Sequence, residues 1–130
     1  MLPRHRRLLT GVLLLGLVEA ACTTVPIMDP PAANLPADPS RTDTEVANAI
    51  KRAALELGWE TRDDGPGEMT ATLHLRTHVA VVSIHYDANR YEIRYADSTN
   101  LDHQGDRIHR NYNSWVKNLD ARIRKQLGYG

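Results

Sequence analysis

Hydrophobic positions fall into four blocks along the chain, and the spacing within each block predicts a different element. Residues 8–18 form an eleven-residue, predominantly apolar run directly after the basic stretch "RHRR" at 4–7. From Val46, the apolar residues Ala49, Ile50, Ala53, Ala54 and Leu57 recur at helical spacing. Thr42-Asp43-Thr44-Glu45 precedes them with the hydroxyl and carboxylate of a capping box, and Gly58 follows as a stop. Between 68 and 97 the period falls to two, the signature of half-buried strands. The last block returns to helix: Ile108, Tyr112, Trp115, Val116, Leu119, Ile123 and Leu127 fall on one arc of a helical wheel, with Gly128 as the cap.

The alternating block carries its own register. Met69, Ala71, Leu73 and Leu75 share one parity, whereas Ala80, Val82, Ile84 and Tyr86 share the other. Such a switch calls for a hairpin turn or a bulge. A turn at Arg76-Thr77 sets Leu73 opposite Ala80, Ala71 opposite Val82 and Met69 opposite Ile84. A second turn in "YDANRY", with Asn89 in a left-handed conformation, sets Ile84 opposite Ile93 and Tyr86 opposite Tyr91. The cluster at 63–67, "DDGPG", separates a short segment around Trp59 from this block. The expected fold is α+β: an antiparallel three- or four-stranded meander with an N-terminal and a C-terminal helix packed on one face, in the order α-β-β-β-β-α.

Between 23 and 41, "TTVPIMDPPAANLPADPSR" carries five of the seven prolines. Proline lacks a backbone donor and biases its neighbour to extended geometry, so a tether is expected here. It would reach roughly 60 Å in the polyproline form. The division is then a signal segment at 1–21, Cys22 with its tether at 22–41, and a compact domain at 42–130.

Composition narrows the function classes. Lys+Arg and Asp+Glu both number 16. Residues 1–21 hold three arginines and one glutamate, so the remainder carries 13 basic against 15 acidic residues. Nucleic-acid binders usually show a basic excess, and no nucleic-acid partner is expected. The basic n-region, short apolar run and small residues before Cys22 have the layout of an export signal, and the run is about half the ~20 residues a spanning helix needs. One thiol closes no internal disulfide, so Cys22 is free, paired between chains or modified.

The stretch "LVEAACTT" resembles the cleavage and acylation site of bacterial lipoproteins, with Glu19 standing where that box normally carries Leu. Ordinary cleavage after Ala20 is the alternative. "YADSTNLD" and "IHRNYNSWVKNLDARI" are similar to stretches of small uncharacterised lipoproteins of Gram-negative bacteria. The resemblance implies a lipidated Cys22, anchoring in the outer membrane (Thr23 follows the cysteine) and a domain facing the periplasm. It brings no activity with it.

Motifs for chemistry are sparse. The chain has no glycine-rich phosphate loop, paired cysteines, His-Glu-x-x-His or nucleophile elbow. Ser83, His85 and Asp87 share a strand face, but alternate residues stand ~6.8 Å apart, too far for a relay. In "DSTNLDHQGDRIHRNYN" a calcium loop fails in both registers, at Asp97 and at Asp102, which leaves a strand-to-helix loop with Asp106 as helix N-cap. No enzyme activity and no cofactor is expected. One constellation follows from the registers: Glu68, His85 and Glu92 in a row across the outer face, beside a row of Thr70, Ser83 and Arg94. Two carboxylates around an imidazole suit a divalent metal or an acidic contact, and equally suit plain cross-strand charge matching. The expected function is a non-catalytic envelope interaction module, with a small-ligand or metal-binding module on that row as the alternative.

Overall fold

The computed structural model describes Gly11 and residues 24–129. Apart from Gly11, the segment expected to be an export signal lies outside the described residues, as does Cys22. Helix α1 (Asp43–Glu56) opens on the capping box: the Thr42 hydroxyl accepts from the Glu45 N–H at 3.2 Å, and the Glu45 carboxylate accepts from the Thr42 N–H at 3.0 Å. Its buried stripe is Val46, Ala47, Ala49, Ile50, Ala53 and Ala54.

Four strands follow as a meander: β3 (Trp59–Gly65), β4 (Glu68–Leu75), β5 (His78–Tyr86) and β6 (Arg90–Thr99). Two short strands precede α1, β1 (Thr24–Pro26) and β2 (Ala33–Asn34), and β7 (Arg107–His109) precedes helix α2 (Arg110–Gln126). The main sheet is antiparallel, in the order β2-β6-β5-β4-β3. Its registers match the sequence pattern pair for pair: Met69↔Ile84, Ala71↔Val82, Leu73↔Ala80, Ile84↔Ile93 and Tyr86↔Tyr91. The segment around Trp59 is a full strand, so the meander has four strands. Arg76 takes the left-handed conformation at the β4–β5 turn, with φ +57°. The β5–β6 turn is instead closed by the Asp87 carboxylate, which accepts from the Asn89 and Arg90 N–H groups at 2.7 and 3.0 Å. Asn89 needs no left-handed backbone there.

One face of the sheet is packed and one is open. Trp59, Met69, Ala71, Leu73, Ala80, Val82, Ile84, Tyr91 and Ile93 are all buried, and both helices cover that face. Arg52 meets Gln126 and Glu56 meets Arg122, so the helices run antiparallel. Helix α2 buries Tyr112, Val116, Leu119 and Ile123. It ends in a Schellman turn, in which Gly128 N–H bonds Lys125 C=O and Tyr129 N–H bonds Arg124 C=O, with Gly128 at φ +80°.

The structure corrects two expectations. Residues 24–35 are not a tether. Val25 pairs with Ile108, Ala33 with Tyr91, and Ala33 and Leu35 are buried. The Asp29 carboxylate accepts from the Tyr112 hydroxyl at 2.9 Å and from the Tyr95 N–H at 3.0 Å. Further on, the Ser40 N–H bonds Asp38, and the Arg41 guanidinium bonds the carbonyls of Pro36 and Ala88. The physical reason lies in the prolines themselves. Pro26, Pro30, Pro31, Pro36 and Pro39 restrict the unfolded chain, so docking this strap loses less entropy than docking a flexible one. The fold therefore starts at Thr24 within the described residues, and the boundary expected near Thr42 is only the start of α1. The second correction concerns α2. It starts at Arg110 with His109 as N-cap, because residues 107–109 are claimed by pairing with β1. Ile108 is buried as a strand residue, and Asp106 caps nothing in α2.

All fully buried residues among those described are hydrophobic, and two of them are tyrosines with carboxylate partners. Tyr91 donates to Asp120 at 2.7 Å, and Asp120 in turn pairs with Arg124 at 3.0 Å. Burial, reinforced by the Asp120 acceptor, raises the Tyr91 phenol far above its ordinary 10.0. Burial and the Asp29 charge do the same for Tyr112. Both groups have folded values above their unfolded ones, so their contribution to stability is complete below pH 10.0 and is lost as pH rises toward the folded values. Stability in denaturant titrations should therefore be flat near neutrality and fall above about pH 10, with a shallower fall in Tyr112→Phe. Phenolate absorbance should appear for these two of the five tyrosines only with unfolding. Free titration of all five in the folded protein would contradict the arrangement.

Candidate functional site

Strand alternation places every even-numbered residue of β4 on the open face, and the hairpin registers align β5 and β6 with it. Glu68 stands opposite His85, and His85 opposite Glu92. The neighbouring row is Arg62, Thr70, Ser83 and Arg94. A third contains Glu60, Thr72 and Val81, and a fourth His74, Val79 and Thr99. In the third row the pairing shifts between Val81↔Asp97 and Val82↔Tyr95, so Ala96 is the extra residue of a bulge.

The expected row exists as a register, but its side chains do not converge on one point. His85 Nδ1 lies 3.7 Å from Glu68 Oε1, beyond hydrogen-bond distance. Glu92 is drawn along its own strand instead, into a close ion pair with Arg94 and a longer contact of 3.8 Å to Arg90. Among the described residues no group of three His, Cys, Asp or Glu side chains is arranged to hold a metal ion. The alternation Arg90-x-Glu92-x-Arg94 was visible in the sequence; what hid its role is that neighbours two apart on a strand competed with the cross-strand partner for the same carboxylate.

The row lines a shallow depression of about 280 Å³, bounded by Pro66, Gly67, Tyr86 and Arg90 as well as Glu68, His85 and Glu92. Its floor is the β3–β4 turn, where the Tyr86 N–H donates to the Gly67 carbonyl at 3.0 Å. Beside it the Asp64 carboxylate accepts from the Thr70 hydroxyl and from Arg62 Nε. The Thr70 hydrogen bond, then the Arg62 bond, hold Asp64 below the usual carboxylate value. This is a charge-matched, water-facing edge in which each cation has a local partner.

The chain matches no family model, no curated protein and no solved structure. The functional reading therefore rests on its own residues and geometry.

The middle of the open face is different in character. Thr72, Val79 and Val81 are half-buried without any helix or strand above them among the described residues. Polar rows border this strip on the Glu68 side, and His74 and Thr99 flank it on the other. An open strip of half-buried side chains between polar rows suits contact with a surface better than enclosure of a small molecule.

Proposed function

We propose that this chain is a lipid-anchored envelope lipoprotein whose α+β domain acts as a non-catalytic interaction module, held at the outer membrane through an acylated Cys22 and facing the periplasm. The sheet face opposite the helices would meet a protein partner. The observation that carries the reading is the uncovered strip of Thr72, Val79 and Val81 inside charged rows, an apolar centre with a polar rim like that of a protein interface. The anchoring part rests on the basic stretch, the short apolar run and the lone cysteine.

Two measurements test it. In a Gram-negative host the protein should incorporate labelled palmitate and partition into detergent, and Cys22→Ser should abolish both; maturation to a soluble form refutes the anchor. Purification of the membrane-bound protein after crosslinking should retain a specific partner, identified by mass spectrometry. Val81→Arg should lose it while keeping the fold. Equal capture by both forms, or none by either, removes the face from consideration.

A second reading, a small-ligand or metal-binding module on Glu68, His85 and Glu92, has in its favour the depression that these residues line. A zinc-induced shift of the His85 ring resonances, lost in Glu92→Gln, would move the function there.

A further inference from the structure

Pairing of β1 with β7 fixes where the anchor leaves the domain. Thr24 stands opposite His109, and Arg107 Nη2 donates to the Thr24 carbonyl at 2.7 Å. In sequence Cys22 precedes Thr24 by two residues, so an acyl chain there is attached directly beside this pole of the fold, not at the end of a long tether.

The side chains at the pole come from four elements. The His109 ring stacks on His78 with centroids 6.5 Å apart, and His78 lies 6.3 Å from the Trp115 ring. His78 is held in place by the Asn100 carbonyl at 2.6 Å, and Asn100 also bonds the Thr77 hydroxyl at 2.7 Å. Leu75, the cross-strand partner of His78, is 45% exposed. Arg76 and Arg110 are exposed at the adjoining turn and helix start, with no acidic side chain paired to either in the ion pairs of the described residues. The acidic residues nearest Arg110 along the chain are Asp106, four residues before it, and Asp102, next to Leu101, whose carbonyl accepts from the His109 N–H.

We infer that this pole is the surface on which the domain rests on the membrane, its occupant being anionic phospholipid headgroups. The inference rests on the proposed anchoring at Cys22 and adds to it the orientation of the domain. Tryptophan favours the headgroup level, where its ring is half in hydrocarbon and its N–H remains wet. Trp115 is half-buried, and the exposed Arg76 and Arg110 of the same pole are drawn to an anionic surface over about a Debye length. An apolar Leu75 completes the set. A tether of two residues keeps the patch at high effective concentration against the surface, so contacts too weak to bind a free protein suffice. The Glu68, His85, Glu92 row lies at the other end of β4 and β5, roughly 24 Å away at ~3.4 Å per residue, and points away from the lipid.

The test attaches the full chain through its single thiol to a maleimide lipid in vesicles containing phosphatidylglycerol and a shallow doxyl-labelled lipid. Coupling supplies the anchor whether or not the cell does, so palmitate labelling reports on the anchoring and this experiment on the pole. Trp59 is 3% exposed in the core, so shallow quenching reads Trp115. Loss of tryptophan fluorescence is expected. It should diminish in purely zwitterionic vesicles, in high salt and in Arg76→Glu/Arg110→Glu, and vanish in Trp115→Tyr. Coupled protein with unquenched fluorescence overturns the inference, and so does quenching indifferent to lipid charge and to the arginine reversals.

Discussion

A chain that begins at Thr42 should melt more than about 10 °C below one that retains residues 24–41, and should expose apolar surface to a hydrophobic dye. The strap buries Leu35 and packs Ile27 on the core, and a buried Leu or Ile side chain contributes about 1.5–3 kcal/mol. Asp29 adds two hydrogen bonds to a charged acceptor, about 1.5–3 kcal/mol each. Conformational entropy offsets part of this, less than usual because five positions are proline. A net loss of about 3 kcal/mol, at about 4–8 °C per kcal/mol for a domain near this size, already yields the stated shift. Asp29→Ala isolates one contribution: it leaves the fully buried Tyr112 hydroxyl without its acceptor, for a loss of about 1–3 kcal/mol. Equal melting temperatures for the long and short chains would show that the strap adds nothing to stability.

Gly67→Ala should be the most damaging single substitution at the β3–β4 turn. Pro66-Gly67 occupies the two central positions between Gly65 and Glu68, and Gly67 has φ +72°, as the third residue of a type II turn requires. An added Cβ would lie 2.8 Å from the Tyr86 carbonyl oxygen, which is backbone and cannot rotate away. The left-handed conformation alone disfavours alanine by about 1–2 kcal/mol, and moving one strand off the other raises the total to roughly 3 kcal/mol. Chemical denaturation should show the loss, and NMR should place the largest shifts at Tyr86 and Glu68. A substitution within 0.5 kcal/mol of neutral, as at an ordinary surface position, would mean that the turn adapts freely.

How much of this was legible in the sequence depended on the range of the interaction that decides each element. The capping box at Thr42–Glu45, the stripe of α1 and the parities of β4, β5 and β6 are set by neighbours within a few residues or by hairpins with short loops. These were readable, down to the pairs Glu68↔His85 and His85↔Glu92. The strap was not. Val25 and Ala33 show no period, and their partners Ile108 and Tyr91 are remote in the chain. The same remote pairing removed residues 107–109 from α2, whose wheel continues through Ile108 without a break. At the candidate row, the positions were visible but the outcome of the competition for Glu92 was not, since Arg94 on the same strand and His85 across from it have equal claims by spacing. The His78, His109 and Trp115 cluster left no local mark at all, because β5, β7 and α2 contribute one ring each.

The pairing of β1 with β7 also imposes an order of events. The Met28 N–H bonds the Asn113 side chain across 85 residues, and the Tyr95 N–H bonds Asp29 across 66. Contacts of such separation close large loops and form late, after hairpins whose strands are adjacent in sequence. The first part of the domain to be synthesised is thus the last to be seated. Until residues 107–109 are made, β1 has no strand partner, although β2 can already pair with Arg90 and Tyr91 of β6.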